Sequence, residues 1–395
     1  VSNAEDYSYL SSRLAPFTES IFGAMSKLAT SLGAINLGQG FPDEDGPEVI
    51  RQAAIRAIEE GRGNQYPPIH GILPLREAIA HHQHRFYGQT IDPETDVVVG
   101  TGASEVIQAT LLALIEPGAE VVMTDPVFDL YPVGVSLAGG VTVAVPVTAD
   151  TLRPDLDAIE AAITPRTTMV LVNSPNNPTG IVWNSEELTR LAAIVERHDL
   201  LVLADEAYEH LWFEGHPHHP FATFPGMAER TVTVGSAGKT FSLTGWKVGW
   251  ATGPKHLISA VRVARQHLSY VSSGPFQWAI AEGLGLPDQY FEEFRLSLHH
   301  KAQQLATGLD RLGLHTVESE GTYFVTSDVS EWGFSSGEAF SQWLPHNAGV
   351  VAIPYGALMS RPTSSPLVRW AFCKSAATID EALNRLESSR GSRPG

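Results

Sequence analysis

The chain has 395 residues, 43% hydrophobic and 18% charged, an ordinary globular composition long enough for two domains or one large domain with a satellite. A formal net charge of -18, with no Lys/Arg-rich stretch to offset it, repels phosphate backbones and anionic lipid; this disfavours nucleic acid and membrane surfaces and leaves small molecules as the expected partners. The single cysteine, Cys373, excludes an internal disulfide and a cysteine-cluster metal site.

The polar start VSNAEDYSYL lacks the basic and apolar regions of a signal peptide, and no apolar run approaches the roughly 18–20 residues of a membrane span. The expected setting is the cytoplasm, and SNA at 2–4 reads as an expression scar. PEVIRQAAIRAIEEG begins with Pro47 at a first-turn position, repeats apolar residues at helical spacing and stops at Gly61. DVVVGTGASEVIQATLLALIEPG reads as strand, glycine turn and helix, with Ser104 the expected N-cap and Pro117-Gly118 the terminator. EVVMTD, TMVLVNSP, LLVLADEAY, TVTVGSAG and VGWATG are Val-, Leu- and Thr-dominated runs, as in strands buried on both faces. Between two of them NSEELTRLAAIVERHD opens with Asn184 and Glu187 at capping-box spacing.

This alternation predicts an α/β fold, a mostly parallel sheet flanked by helices. After about 285 the texture changes to the amphipathic QYFEEFRLSLHHKAQQLATGLDRLG and the shorter strands of TYFVTSDV and LVRWAFC. The expected division is an N-terminal arm at 1–45 belonging partly to a small domain, a large domain at 46–285, a small α+β domain at 286–388 and a frayed tail at 389–395.

Ligands of open parallel sheets sit beyond the carboxyl ends of the strands, so the strand-end residues carry the argument. Gly102, Ala103 and Ser104 offer free N–H groups to one phosphate at a helix start. SPNNPTG brings out Asn176 and Asn177, LADEAYEH brings Asp205 and Tyr208, and SAGK brings Ser236 and Lys239. An anion site, a carboxylate, an amide, a phenol and a lysine suit a ligand bearing a phosphate, a basic ring nitrogen, a phenolate oxygen and an aldehyde. GKT at 238–240 is no nucleotide-binding loop: Thr233 stands where G-x-x-x-x-G-K-[ST] needs its first glycine, and Gly245, Trp246, Gly249 and Trp250 make a poor following helix. HHQH at 81–84 and HPHHP at 216–220 lack zinc-motif spacing with a supporting carboxylate and read as helix surface and loop, so no metal is expected. GVSLAG is not the G-x-S-x-G of a nucleophile elbow.

NLGQGFPD, NQYPPIHGILPLREAIA, SPNNPTG, DEAYEHL, SAGKTFSLTGWKVGW and VRWAFCK resemble, in order, the signature segments of class I, fold type I, pyridoxal 5'-phosphate aminotransferases. Within that family they are most similar to the kynurenine or glutamine transaminase branch and to actinobacterial N-succinyldiaminopimelate aminotransferase-like proteins. The resemblance implies that Lys239 is the Schiff-base lysine and the base that moves a proton between Cα and the cofactor. It implies Asp205 against the pyridine nitrogen, Tyr208 and Asn177 on the 3-oxygen, and Phe128 on the ring face. Ser236 and Lys247, with the N–H groups of Gly102, Ala103 and Ser104, would hold the phosphate; many relatives carry arginine at the Lys247 position. Arg369 would pair with the substrate α-carboxylate, with Gly40 and Asn177 beside it. Tyr66 would reach the phosphate of the other subunit, which implies a homodimer.

The activity implied is a two-step exchange of an amino group between an L-amino acid and a 2-oxo acid. β-Elimination on the same cofactor is the alternative chemistry. A ligand-sensing domain of a transcription regulator is disfavoured, because no basic DNA-binding segment precedes the fold. No second arginine presents itself for a distal substrate carboxylate, and the aromatics Tyr131, Trp246 and Tyr270 suggest a medium or large apolar side chain.

Overall fold

The computed structural model describes residues 9–17, 20–361 and 363–392, so the SNA tripeptide lies outside them. In chain order the strands are β1 (Ile35–Asn36), β2 (Val97–Thr101), β3 (Glu120–Asp125), β4 (Val141–Pro146), β5 (Thr167–Asn173), β6 (Leu201–Asp205) and β7 (Thr231–Ser236). They continue as β8 (Val248–Thr252), β9 (Thr316–Val317), β10 (Phe324–Asp328), β11 (Val350–Val351), β12 (Ile353–Pro354) and β13 (Leu367–Ala371).

A seven-stranded sheet runs β2-β8-β7-β6-β5-β3-β4, parallel except for β8, which is antiparallel to both neighbours. Every residue of β3, β7 and β8 is buried, which explains why these runs show no polar alternation. The two-residue side-chain period still sorts them. Val121, Met123, Met169, Leu171 and Leu203 pack with the helices Gly102–Leu114 and Lys255–Gln266. Val122, Val170, Val172, Val202 and Ala204 pack with the helix Ser185–Arg197 on the opposite face. The sheet is therefore covered by helices on both sides. Edge strand β4 is not among the strands expected from the sequence: it pairs only with β3 and is partly exposed, so VTVAVP lacks the signature of a buried strand.

Local signals behave with two adjustments. The capping box forms in full, with Glu187 N–H on Asn184 Oδ1 at 2.9 Å and Asn184 N–H on Glu187 Oε2 at 2.8 Å. Pro47 is the N-cap of Glu48–Glu59 and not in its first turn. Ser104 is not an N-cap: that position falls three residues earlier at Thr101, the helix starts at Gly102, and the Glu105 carboxylate reaches back to the Thr101 N–H, taking over the capping role.

The remaining strands build a four-stranded sheet, β12-β13-β10-β9, and a parallel pair, β1-β11, that ties the N-terminal segment to the C-terminal half. The helix Asp288–Arg311 lays Leu298, Leu305 and Leu309 into the core under this sheet with Phe324, Val368 and Trp370. Ala376–Ser389 is helical and passes into a 3-10 turn at Arg390–Ser392, so the expected frayed tail is regular structure up to that point; 393–395 lie outside the described residues. No helix among the described residues is long and apolar enough to cross a membrane.

Candidate active site

The strand register brings the chemistry to one edge of the large sheet. Asn173 at the end of β5 stands beside Asp205 at the end of β6, Ser236 at the end of β7 beside Gly249, and Thr101 at the end of β2 beside Val248. Because β8 runs the other way, its first residues come to this edge and carry Lys247 with them. A cavity of about 310 Å³ opens there. Gly102, Ala103, Ser104, Phe128, Ser236 and Lys247 are among the residues that line one part of it; Gly40, Asn177, Asp205, Tyr208, Lys239 and Arg369 are among those that line the rest. Tyr66 does not: it is 80% exposed and meets Tyr270 edge-on at 5.4 Å.

Asp205 is the buried carboxylate of the cavity. Its Oδ2 accepts from the Tyr131 hydroxyl at 2.7 Å and its Oδ1 from the Ala207 N–H at 3.0 Å, so neither side-chain partner is a cation. Burial pushes its pKa up, and the phenol and the N–H pull it back. Asn173 braces the same place, donating Nδ2–H to the Asp205 carbonyl at 2.9 Å while its Oδ1 accepts the Asn177 N–H at 2.8 Å. Asn176 instead closes its own turn, accepting from the Thr179 hydroxyl at 2.7 Å.

Lys239 follows β7 in the short helix Ala237–Thr240. Its Nζ donates to the Gly40 carbonyl at 3.2 Å and stands 5.5 Å and 5.4 Å from the ring centres of Tyr208 and Tyr323. Burial brings its pKa down to about 8, which makes the neutral amine far more accessible near pH 7 than for an exposed lysine. The Tyr323 hydroxyl holds the Lys239 carbonyl at 2.7 Å and fixes the lysine's backbone.

The other end of the cavity is shaped for an anion. Gly102 has φ +76°, and a Cβ there would lie 2.9 Å from the Lys247 Nζ, so the missing side chain lets that ammonium group lie over the helix start. A Cβ on Gly249 would lie 2.3 Å from the Ala103 nitrogen, so only glycine lets β8 pass this close. Free N–H groups at a helix start beside an ammonium form an anion cradle.

Arg369 is buried, where an isolated strand arginine would ordinarily face solvent. It donates to Asn177 Oδ1 at 2.8 Å and to the Gly38 carbonyl at 2.6 Å, with Phe324 3.9 Å from its guanidinium carbon. Burial brings its pKa down to about 10. No carboxylate pairs with it among the described residues, which leaves a buried cation facing the cavity. The donor set fits pyridoxal 5'-phosphate: a cradle for a phosphate, a buried carboxylate lacking a cation, and a buried lysine of lowered pKa.

Four expectations from sequence are corrected. Tyr131 lines the cavity but gives its hydroxyl to Asp205; Trp246 stacks on Phe276 at 4.4 Å, and neither it nor Tyr270 lines the cavity. HHQH is not all helix surface, since His82 is 1% exposed and its Nε2 meets His210 Nε2 at 2.8 Å. His218 of HPHHP is likewise buried, with its Nε2 3.2 Å from Glu206 Oε2. Lateral packing buried them, and a short run carries no trace of its neighbours. Asn173 and the Tyr131–Asp205 contact were overlooked; the strand-end rule that found Asp205 also marks Asn173, while nothing in DPVFDLY signals where its tyrosine hydroxyl points.

A family model described as aminotransferase class I and II matches residues 33–386. The probable N-succinyldiaminopimelate aminotransferase DapC of Mycobacterium tuberculosis is 46% identical over 386 residues, covering 95% of this chain and 97% of that protein. The kynurenine–oxoglutarate transaminase of Dictyostelium discoideum is 33% identical over 414 residues, covering 95% of each. The solved N-succinyldiaminopimelate aminotransferase of Mycobacterium tuberculosis superposes with TM-score 0.94 at 47% identity, covering 96% of this chain and all of that one.

Proposed function

The chain belongs to the class I and II aminotransferases, a fold type I transaminase family that uses pyridoxal 5'-phosphate, and from that premise we propose what each cavity residue does and which substrates it takes. The reaction proposed moves an amino group from an L-amino acid with a medium or large side chain to a 2-oxo acid in two half-reactions. The observation that carries it is one cavity holding a lysine of lowered pKa, a buried carboxylate and a buried guanidinium, the last two without a direct ion-pair partner among the described residues.

When bound, pyridoxal 5'-phosphate supplies an aldehyde that condenses with amines and a protonated ring that withdraws electrons from the adjacent carbon. Lys239 would hold that group covalently and, once displaced by the incoming amine, take the proton from the amino acid's Cα and return one. Burial favours its neutral form, the one able to accept a proton. Asp205 would keep the ring nitrogen protonated, steadied by Tyr131 and Asn173. Tyr208 and Asn177 would donate to the ring oxygen, and Phe128 would cover the ring face. Gly102, Ala103, Ser104, Ser236 and Lys247 would bind the phosphate. Arg369 would clamp the substrate α-carboxylate beside Gly40, its guanidinium held by Asn177 and Gly38.

Three further parts belong to the same proposal. The protein acts as a homodimer in which the exposed Tyr66 reaches the partner's phosphate. Residues 46–285 hold the cofactor, and 1–45 with 286–388 make the small domain. The setting is the cytoplasm, in keeping with the lone buried Cys373.

Phe22, Phe41, Phe128 and Phe324 give the lining an apolar share, and its cations are Lys239, Lys247 and Arg369 alone. All three are assigned above, which supports an apolar donor over aspartate. N-Succinyldiaminopimelate is the second reading, favoured by the 46% identity to the mycobacterial relative. The test is a donor panel of methionine, phenylalanine, kynurenine, aspartate and N-succinyldiaminopimelate against 2-oxoglutarate and pyruvate, with cofactor absorbance followed in single half-reactions. Fastest turnover of aspartate would overturn the substrate class. Borohydride reduction and peptide mapping should mark Lys239, and a label elsewhere would remove the role given to it.

A further inference from the structure

Behind the segment that carries Asp205 and Tyr208 lies a second group of convergent side chains. His82 sits on the helix Leu73–Tyr87, while Glu209 and His210 follow β6. All three are buried, and one ligand atom from each lies within 4.8 Å of the others. The two Nε2 atoms are 2.8 Å apart, and His82 Nε2 is 4.0 Å from Glu209 Oε1.

We propose that His82, Glu209 and His210 bind one divalent transition-metal cation of the zinc type. Two imidazoles and one carboxylate are a ligand set that zinc takes, with an open fourth position. Bonds of about 2.0–2.2 Å to a tetrahedral centre put ligand atoms about 3.3 Å from one another. The two imidazoles have to part by about half an ångström and the carboxylate has to close on them by about 0.7 to 1.5 Å, shifts within the reach of side-chain torsion.

The surroundings support the site independently of the three ligands. His82 turns its Nδ1 to the Leu284 backbone, which leaves Nε2 facing His210 and Glu209, the arrangement in which the second ring nitrogen orients a liganding imidazole. Gln83 Nε2 donates to the other Glu209 oxygen at 3.0 Å, the kind of outer contact that orients a liganding carboxylate. Phe86 and Phe291 wall the imidazoles, with ring centres 4.7 Å and 5.4 Å from His82 and 4.8 Å and 4.5 Å from His210. Charge points the same way. Glu209 stands beside His82 and the nearby buried Glu206 beside His218, no lysine or arginine pairs with either carboxylate among the described residues, and a dication would compensate both. A separate cavity of about 440 Å³, bordered by His210, Tyr87 and His218, gives an entry path. The cation would tie the helix Leu73–Tyr87 to the chain four residues beyond Asp205.

None of the three ligands lines the cofactor cavity, so this inference stands or falls separately from the proposed reaction. The test takes the full chain with cofactor bound, strips it with a chelator, titrates it with Zn²⁺ against a competing chelator, and records zinc X-ray absorption on the loaded protein. One equivalent per chain and a first shell containing two imidazoles are expected. Glu209→Gln and His82→Asn should each lower the affinity by more than the roughly 10–100-fold typical of losing an outer-shell partner, while cofactor absorbance stays. Substoichiometric binding, or wild-type affinity in both folded variants, would overturn the site. Should the variants not fold, the wild-type absorption spectrum decides: two imidazoles support the site, and fewer refute it.

Discussion

The segment from Asp205 to His210 has two faces, and each carries a buried carboxylate. Asp205 and Tyr208 look into an open cavity, whereas Glu209 and His210 look into the packing between helices. Burial raises the pKa of both acids, Glu209 to about 7. The difference lies across from them. Asp205 faces space lined by Lys239 and Arg369, and Glu209 faces Gln83 and two neutral imidazoles. A buried carboxylate therefore signals a reaction site only together with the cavity it faces, and changes on the two faces should separate chemistry from stability.

The largest effect expected is on the cavity face. Lys239→Ala should lower the half-reaction rate by about 10⁴-fold or more, since general acid–base catalysis alone contributes roughly 10²–10⁴-fold, while the unfolding midpoint of the cofactor-free chain does not fall. A rate within tenfold of wild type would break the comparison. Asp205→Asn removes one partner of the charge pair expected with the ring nitrogen, a loss of about 3–5 kcal/mol or roughly 10²–10⁴-fold in rate. Tyr131→Phe removes one hydrogen bond to that carboxylate, about 1.5–3 kcal/mol, and should cost roughly 10–100-fold. Stopped-flow absorbance ranks the two, and a larger loss in Tyr131→Phe would contradict the assigned order.

On the opposite face the effect should be on stability. Gln83→Leu leaves Glu209 Oε2 without its donor, which costs about 1–3 kcal/mol in denaturant unfolding with kcat unchanged. A fall in kcat at unchanged stability would show that the faces are not independent.

The effect confined to the cofactor-free chain is a pH dependence. Lys239 has a pKa of about 8 when folded against an ordinary 10.5, so its burial penalty is present in full below pH 8. Between those values the unfolded chain binds the extra proton, and stability rises with pH. Cofactor-free Lys239→Met should therefore exceed wild type in stability at pH 7, with the gap closing between about pH 8 and 10.5. A gap constant over that range would place Lys239 in water.

Much of this was legible in the chain. Runs such as EVVMTD and TVTVGSAG, with capped helices between them, dictated a parallel sheet buried on both faces, and the strand-end rule picked out Asp205, Asn177, Ser236 and Lys239. Edge strand β4 escaped because half-exposed residues give a weaker pattern. The helix start at Gly102 was misplaced by three residues because Glu105, and not Ser104, serves the free N–H.

By itself the sequence determined the alternation of buried strands and helices, the Asn184 capping box and which residue types stand at the strand ends, because periodicity and turn chemistry act over a few neighbours. The tertiary structure alone decided that Tyr131 steadies Asp205, that Arg369 is buried against Asn177, and that His82 meets His210 across 128 positions of chain. Those contacts join side chains far apart in sequence. Burial, which sets the charge state of each group, is a property of the packed assembly and not of any one segment.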